Sequence, residues 1–412
     1  MAPASPSRRS PASSPAIRQQ LNATGVAQVI VVLKPAASLT ALTRTFSSSQ
    51  LSQRAALMAA GVAASPQGKG GAVRYFSNLG VMYGTVDREG VAALRANANV
   101  ESVMGAPAFS LIRPTRLEDA RLTEDITWGI TSLGVEAAWA QGLTGKGVRV
   151  GHLDTGVDGK HPALKGAIAA FAEIDAYGGL KKPAPKPYDT DEHGTHTAAT
   201  IAGRPVRGKT VGVAPGATLA SALVIEGGDP VARVLGGLDW ALDQGIKVLS
   251  MSLGFRGFWE DFLPIMRILR SRGVLPVIAV GNEGPGTSRS PGNYSESLSV
   301  GAVDERLKVA DFSSSQRFKR KEDPIVPDLV GPGVGIISAK PGGGYQQMDG
   351  TSMATPHLAG LAALLFEAKS SATVEEVEEA LLASCGPAGA RARAGHGFPN
   401  AKKALAALMR GG

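Results

Sequence analysis

The chain after Trp128 predicts an α/β fold, a mostly parallel, doubly wound sheet flanked by helices. Three observations predict it: short apolar runs that end in Gly-rich turns, segments of helical periodicity between them, and abundant glycine (52 residues) with only 5% aromatics. Strands covered on both faces read as continuous apolar runs because water reaches neither side. Residues 147–153, 218–224, 247–253, 274–280 and 298–303 fit that description. Residues 193–202, 231–244, 260–271, 356–368 and 374–383 carry apolar positions at helical spacing instead. In such a sheet the functional groups gather beyond the carboxyl ends of the strands.

Upstream the pattern differs. Residues 1–20 are rich in Pro, Ser and Arg and have the composition of a disordered tail. A strand at 28–33, a helix at 50–63, an extended stretch at 74–86, a helix at 88–97 and a strand at 100–103 follow, a βαββαβ order that predicts a small ferredoxin-like α+β domain over 21–105. Residues 106–125, with Pro107, Pro114 and a mixed cluster of charges, are expected to link it to a larger domain at 126–412 and to be open to proteolysis. No short-period repeat is present, so solenoids and propellers are excluded.

Hydrophobic residues make up 43% and charged residues 19% of the 412, as in ordinary globular proteins. No apolar run approaches the roughly 20 residues that cross a bilayer, so no membrane partner is expected. Cys385 is the single cysteine and cannot form an internal disulfide; its apolar surroundings mark it as packing. The net charge of +8 lies mainly outside the larger domain: residues 1–125 hold 13 Lys/Arg against 7 Asp/Glu, an excess of six, and the rest has an excess of two. Basic clusters such as Arg317 to Lys321 lack interleaved aromatics, so nucleic acid is not expected as a partner.

Four stretches carry chemistry. Gly147 to Pro162 sets Asp154 at the end of an apolar strand, where an ionised carboxylate needs a cation or N–H donor, although a loop-capping Asp would look the same. Asp191-Glu192-His193-Gly194-Thr195-His196 opens a helix of small residues with His193 at its start. His193 and His196, at i and i+3 with Asp191 nearby, could alternatively hold a metal; His152, His161 and His357 read as packing or surface. Ala279-Val280-Gly281-Asn282-Glu283-Gly284 ends a buried strand with an amide at the tip of a turn, a donor suited to an oxyanion. Gly350-Thr351-Ser352-Met353-Ala354-Thr355-Pro356 delivers a hydroxyl to a helix N-terminus, where free N–H groups and the helix dipole would face whatever Ser352 attacks. Gly203 to Thr210 matches the phosphate-loop pattern by letter, but a helix precedes it where that motif requires a strand.

The chain order Asp154, His193, Ser352, within Asp-Thr-Gly-Val-Asp, His-Gly-Thr-His and Gly-Thr-Ser-Met-Ala-Thr-Pro, resembles the subtilisin-like serine proteases. The likeness spans about 128–383 and includes residues 212–217 and 250–254. It implies a serine endopeptidase acting on protein or peptide substrates through an acyl-enzyme on Ser352. His193 would be the general base, Asp154 its orienting group, and Asn282 with the Ser352 N–H the oxyanion hole. Ser252, Leu253 and Gly254 would pair with extended substrate, and Gly281 would border the pocket for the side chain before the cut, giving broad specificity. The N-terminal domain is similar to the propeptides that fold and inhibit such enzymes and implies a zymogen cleaved between 104 and 123. No cofactor is implied for catalysis. The loop where relatives hold calcium reads Arg204-Pro-Val-Arg-Gly-Lys209, which lacks the carboxylates such a site wants. The chain as given shows no secretion signal, so a cytoplasmic location is expected, or secretion if a signal precedes Met1. The same acyl-enzyme could pass to an amine, making a transpeptidase. A silent binding protein would not need the intact set of four residues.

Overall fold

A computed structural model describes residues 14–34, 73–225, 227–320 and 324–410. The chain divides into two compact units, 1–107 and 108–412. In the first, Val26–Leu33, Arg74–Phe76, Val81–Asp87 and Val100–Gly105 form a four-stranded sheet in which Val26–Leu33 lies between the third and fourth strands. Each neighbouring pair is antiparallel. The helix Arg88–Ala96 is capped by Asp87, whose side chain accepts the Gly90 N–H. The helix expected at 50–63 lies outside the described residues. The tail expected over 1–20 differs in its last residues, because a helix Pro15–Thr24 buries Ala16, Ile17 and Leu21. Pro15 suits a first helical turn, and residues 17 and 21 share one face.

The second unit is built on seven strands in the order Leu329–Pro332, Leu298–Val303, Leu275–Ala279, Val248–Met251, Arg149–Asp154, Thr218–Leu223 and Ile168–Glu173. All adjacent pairs are parallel. The chain enters at Arg149–Asp154, crosses to the edge strand Ile168–Glu173, fills the gap with Thr218–Leu223, then builds outward on the other side, so the direction of building reverses beside Asp154. That reversal opens a crevice at the carboxyl ends of the strands. The expected helices at 193–202 and 374–383 fall at His193–Ala202 and Val374–Ala383.

One expected boundary moves with functional consequence. The helix expected from Pro356 runs Thr351–Ala368, which puts Ser352 in its first turn and Pro356 inside it. Pro356 has no N–H for the carbonyl four residues back, that of Ser352. The Ser252 hydroxyl donates to that carbonyl at 3.2 Å instead, so the helix continues through the proline. Thr351 to Phe366 are buried throughout, and Ala354, Leu358, Leu361 and Leu365 pack in one core with Val150, Leu219, Val248, Val277 and Val300.

Of residues 106–125, expected as a linker, those from 108 onward fall in this unit and contribute strands to it. Ser110–Leu111 pairs with Leu253–Arg256, and Arg116–Ala120 pairs with Tyr345–Asp349. Cys385 is half-buried and burial pushes its thiol up to about 12, in line with packing. Among the described residues no helix is long and apolar enough to cross a membrane.

Candidate active site

Asp154 ends an interior strand of the sheet, Arg149–Asp154, and is 1% exposed. Its Oδ1 accepts the Thr155 N–H at 2.8 Å and lies 2.7 Å from His193 Nδ1. Burial pushes this carboxyl upward, but the adjacent His193 and Thr155 outweigh it and hold the group below its ordinary value. Burial likewise pushes the His193 ring down; Asp154, reinforced by Asp189 and Asp191, lifts it above 6.5 overall.

The start of the His193 helix is tied to the Asp154 loop by a polar clamp. Asp189 Oδ2 accepts the Thr195 N–H and hydroxyl, both at 2.6 Å, and its Oδ1 accepts the Thr155 hydroxyl at 2.7 Å. Asp191 Oδ1 accepts the N–H groups of Glu192 and His193. The two segments approach so closely that a Cβ on Gly194 would stand 2.1 Å from the Gly156 carbonyl oxygen.

Ser352 is fully buried, and its Oγ donates to the Ile112 carbonyl at 2.7 Å. His193 Nε2 is buried with no hydrogen-bond partner among the described residues. Asn282 Oδ1 accepts both the N–H and the hydroxyl of Thr351, at 2.9 and 2.8 Å. That anchor turns the amide donor outward, where Nδ2 donates to the Arg113 carbonyl at 2.9 Å.

Ser252, Leu253 and Gly254 form the edge on which the chain's own segment lies. Leu253 pairs with Leu111 and Gly254 with Ser110, antiparallel, and the Ile112 N–H donates to the Ser252 carbonyl at 3.1 Å. Phe109 stands edge-on to Phe255 and Phe262, with ring centroids 5.0 and 5.2 Å away. Gly281, at φ +118°, leaves no room for a Cβ beside the Glu283 carboxylate and the Arg289 side chain, which are ion-paired in the cleft wall.

Sequence reasoning missed several of these groups. The Glu283–Arg289 pair and the Phe255 and Phe262 ring pocket escaped it, as did the clamp built on Asp189. His152, read as packing or surface, is buried 3.7 Å from Asp154 Oδ2. His161 and His357 are held by backbone carbonyls, of Gly344 and Met353. The alternative of a metal on His193, His196 and Asp191 finds no convergence: His196 Nε2 is 3.0 Å from the Ile336 carbonyl, and His193 Nδ1 is on Asp154.

A parallel sheet with a buried His193–Asp154 pair at one strand end, Ser352 in the first turn of a buried helix, and Asn282 bonded to Thr351 beside it is the arrangement expected of a serine hydrolase. The pattern of the subtilase family matches residues 145–397. An alkaline protease of Alkalihalobacillus alcalophilus is 34% identical over 74% of this chain and 76% of its own. Subtilisin Savinase of Lederbergia lenta is 35% identical over 68% of this chain and 99% of its own, and the major intracellular serine protease of Bacillus subtilis (strain 168) is 35% identical over 58% and 74%. The chain belongs to the subtilase family and is a serine-type endopeptidase acting on protein or peptide substrates.

Proposed function

We propose that Ser352 is the nucleophile of this endopeptidase, His193 its general base and then acid, and Asp154 the group that orients the imidazole. Asn282 Nδ2 and the Ser352 N–H form the oxyanion hole. The observation that carries this reading is the stretch Ser110–Ile112, laid antiparallel on Leu253–Gly254, with the Ile112 carbonyl 2.7 Å from Ser352 Oγ. A peptide held so has one carbonyl on the hydroxyl and the next, that of Arg113, on the Asn282 amide at 2.9 Å.

The chemistry follows from the contacts. The Ser352 hydroxyl proton passes to His193 Nε2, whose lone pair has no other partner, while Oγ bonds to the carbonyl carbon. Asp154 stabilises the imidazolium through Nδ1, and Asn282 Nδ2, on leaving the Arg113 carbonyl, receives the negative oxygen. The carbon–nitrogen bond then breaks as His193 returns its proton to the amine, and water attacking under the same base releases the acyl group from Ser352.

Residues 21–105 act as an inhibitory, folding-assisting propeptide, and the chain is cut after Ile112. Its carbonyl is the one on Ser352, and its N–H is the last donated to the Ser252–Gly254 edge. A cut after Arg113 would make Pro114 the leaving nitrogen. No calcium is held in the loop after the His193 helix. There Arg204 donates to the carbonyls of Ala202, Ala217 and Gly166 at 2.8 to 3.0 Å, a fixed guanidinium where a hard cation would want oxygen ligands.

The test is kinetic. Ser352→Ala and His193→Ala should each lower kcat by several orders of magnitude, and Asn282→Ala by about 100- to 1,000-fold. A fluorophosphonate should label the wild type and not Ser352→Ala; casein hydrolysis by Ser352→Ala at the wild-type rate would sink the assignment.

A further inference from the structure

Behind Asp154 runs a buried polar chain that the roles above do not use. His152 lies two residues before Asp154 on the same strand, so both side chains leave the same face of the sheet. Its Nδ1 is 2.9 Å from the Ser221 hydroxyl on the adjoining strand, and its Nε2 is 2.9 Å from the Thr197 hydroxyl, one turn into the His193 helix. Thr197 Oγ1 is in turn 3.1 Å from Asp154 Oδ2, the oxygen that His193 does not use. All four residues are at most 1% exposed.

Proton counting fixes the direction of this chain. Asp154, ionised, only accepts, and the Thr197 hydroxyl has a single proton to give. Its oxygen also lies 3.1 Å from the carbonyls of His193 and Gly194, so that proton has competing acceptors. Burial pushes the His152 ring down to about 4 despite the pull of Asp154, so at neutral pH the ring is uncharged and carries one N–H. With that proton on Nδ1, a bare Nε2 would claim the Thr197 proton, and Asp154 Oδ2 would face only lone pairs. With it on Nε2, every group is matched: Ser221 donates to Nδ1, Nε2 donates to Thr197, and Thr197 donates to Asp154.

We propose that His152 and Thr197 are positioning residues for the protease reaction: His152, seated on Ser221, directs the Thr197 hydroxyl proton onto Asp154 Oδ2 and so fixes the carboxylate with Oδ1 toward His193. This rests on the roles proposed above for Asp154 and His193. The donor on Oδ2 also disperses charge that would otherwise bear on the imidazolium. The charged groups around the chain are Asp154 on the same strand, His193 on the helix, and Asp189 and Asp191 in the loop before it. The residues paired with His152 on both neighbouring strands are serines, Ser221 and Ser250.

The experiment compares Thr197→Val, Thr197→Ser, His152→Phe and the His152→Phe/Thr197→Val double variant, using enzyme obtained from the full chain and a peptide substrate. Thr197→Val should lower kcat about 10- to 100-fold with KM within about twofold, and it should move the acid limb of the kcat/KM profile to higher pH, since a less dispersed carboxylate holds the His193 proton more tightly. Thr197→Ser, which keeps the hydroxyl, should recover to within about threefold of wild type. The double variant should be no slower than the worse single one. Wild-type kcat in Thr197→Val, equal loss in Thr197→Ser and Thr197→Val, or losses that multiply in the double variant would each overturn the proposal. Should His152→Phe not fold, the Thr197 pair alone decides. Ser352→Ala, run alongside, tests the roles separately: activity in that variant would fault those roles, whereas a dead Ser352→Ala with a fully active Thr197→Val would fault only the relay.

Discussion

As the proposed general base, His193 would carry the pH dependence of the reaction. A base must be neutral to take the Ser352 proton, and the carboxylates of Asp154, Asp189 and Asp191 hold this ring protonated to above its usual 6.5 despite burial. The acid limb of kcat/KM should therefore reach half-height above pH 6.5, and a limb well below that value in a pH–rate profile would contradict the assignment. Asp191 adds a preference of its own, since its Oδ2 pairs with the Arg113 guanidinium at 3.0 Å, just beyond the proposed cut. Peptides with Arg after the scissile bond should be cleaved faster than matched peptides with Glu there. Asp191→Asn should shrink that ratio only about two- to fivefold, because Arg113 is 63% exposed and solvent screens the pair. An unchanged ratio, measured with two internally quenched peptides, would remove Asp191 from specificity. These residues differ in how far sequence could reveal them. Asp154, His193, Asn282 and Ser352 sit in short stretches whose glycines and flanking strands or helices already imply a turn at a strand end or helix start. His152 and Thr197 acquire meaning only once a particular helix face is laid on a particular strand face.

At the scale of elements, apolar runs located the strands well, because a sheet buried on both faces leaves no other composition open to it. Boundaries governed by a distant partner were not readable. The Ser352 helix extends back to Thr351 because the Ser252 hydroxyl, 100 residues away in sequence, satisfies the carbonyl that Pro356 leaves open. The strand Ser110–Leu111 exists only as a partner of Leu253–Arg256, and nothing in its own residues announces it. The loop after the His193 helix depends on a third remote interaction. Arg204 gathers the carbonyls of Gly166, Ala202 and Ala217, joining three segments through one cation whose charge is built into the chain. Arg204→Ala should cost about 1–3 kcal/mol, or roughly 2–8 °C in Tm by calorimetry, discounted because the guanidinium is half-exposed. A chelator added to the wild type should leave Tm in place. A fall in Tm with chelator, restored by calcium, would show that a metal does the work assigned here to Arg204.

For the whole molecule, the segment that follows the first unit is also the one laid against Ser352, so under the proposed roles the chain presents its own peptide bond to its own catalytic groups. The Ile112 carbonyl accepts the Ser352 proton that the proposed reaction would send to His193, so the contact would hold the site engaged without letting it turn over. In the proposed reaction, release requires that proton to reach Nε2, after which acylation would separate Ile112 from Arg113 and free the amine side of the cut. On that side Arg113 pairs with Asp191 and its carbonyl accepts from Asn282, while Thr115 and the strand Arg116–Ala120 are held to Tyr345–Asp349. Purified wild-type protein should therefore accumulate a chain whose N-terminal sequence begins Arg113-Pro114-Thr115. Ser352→Ala should remain at its full 412 residues and should be cut at that bond by a catalytic amount of wild type only if the segment can leave its own cleft. Cutting of Ser352→Ala at a rate independent of the amount of added wild type would indicate that opening of the cleft limits the reaction. A first residue of Pro114 would move the scissile bond by one and transfer the oxyanion contact to the carbonyl that Asn282 already holds, and a wild-type chain left intact under conditions where it hydrolyses added peptide would mean the segment is a strand of the enzyme and not its first substrate.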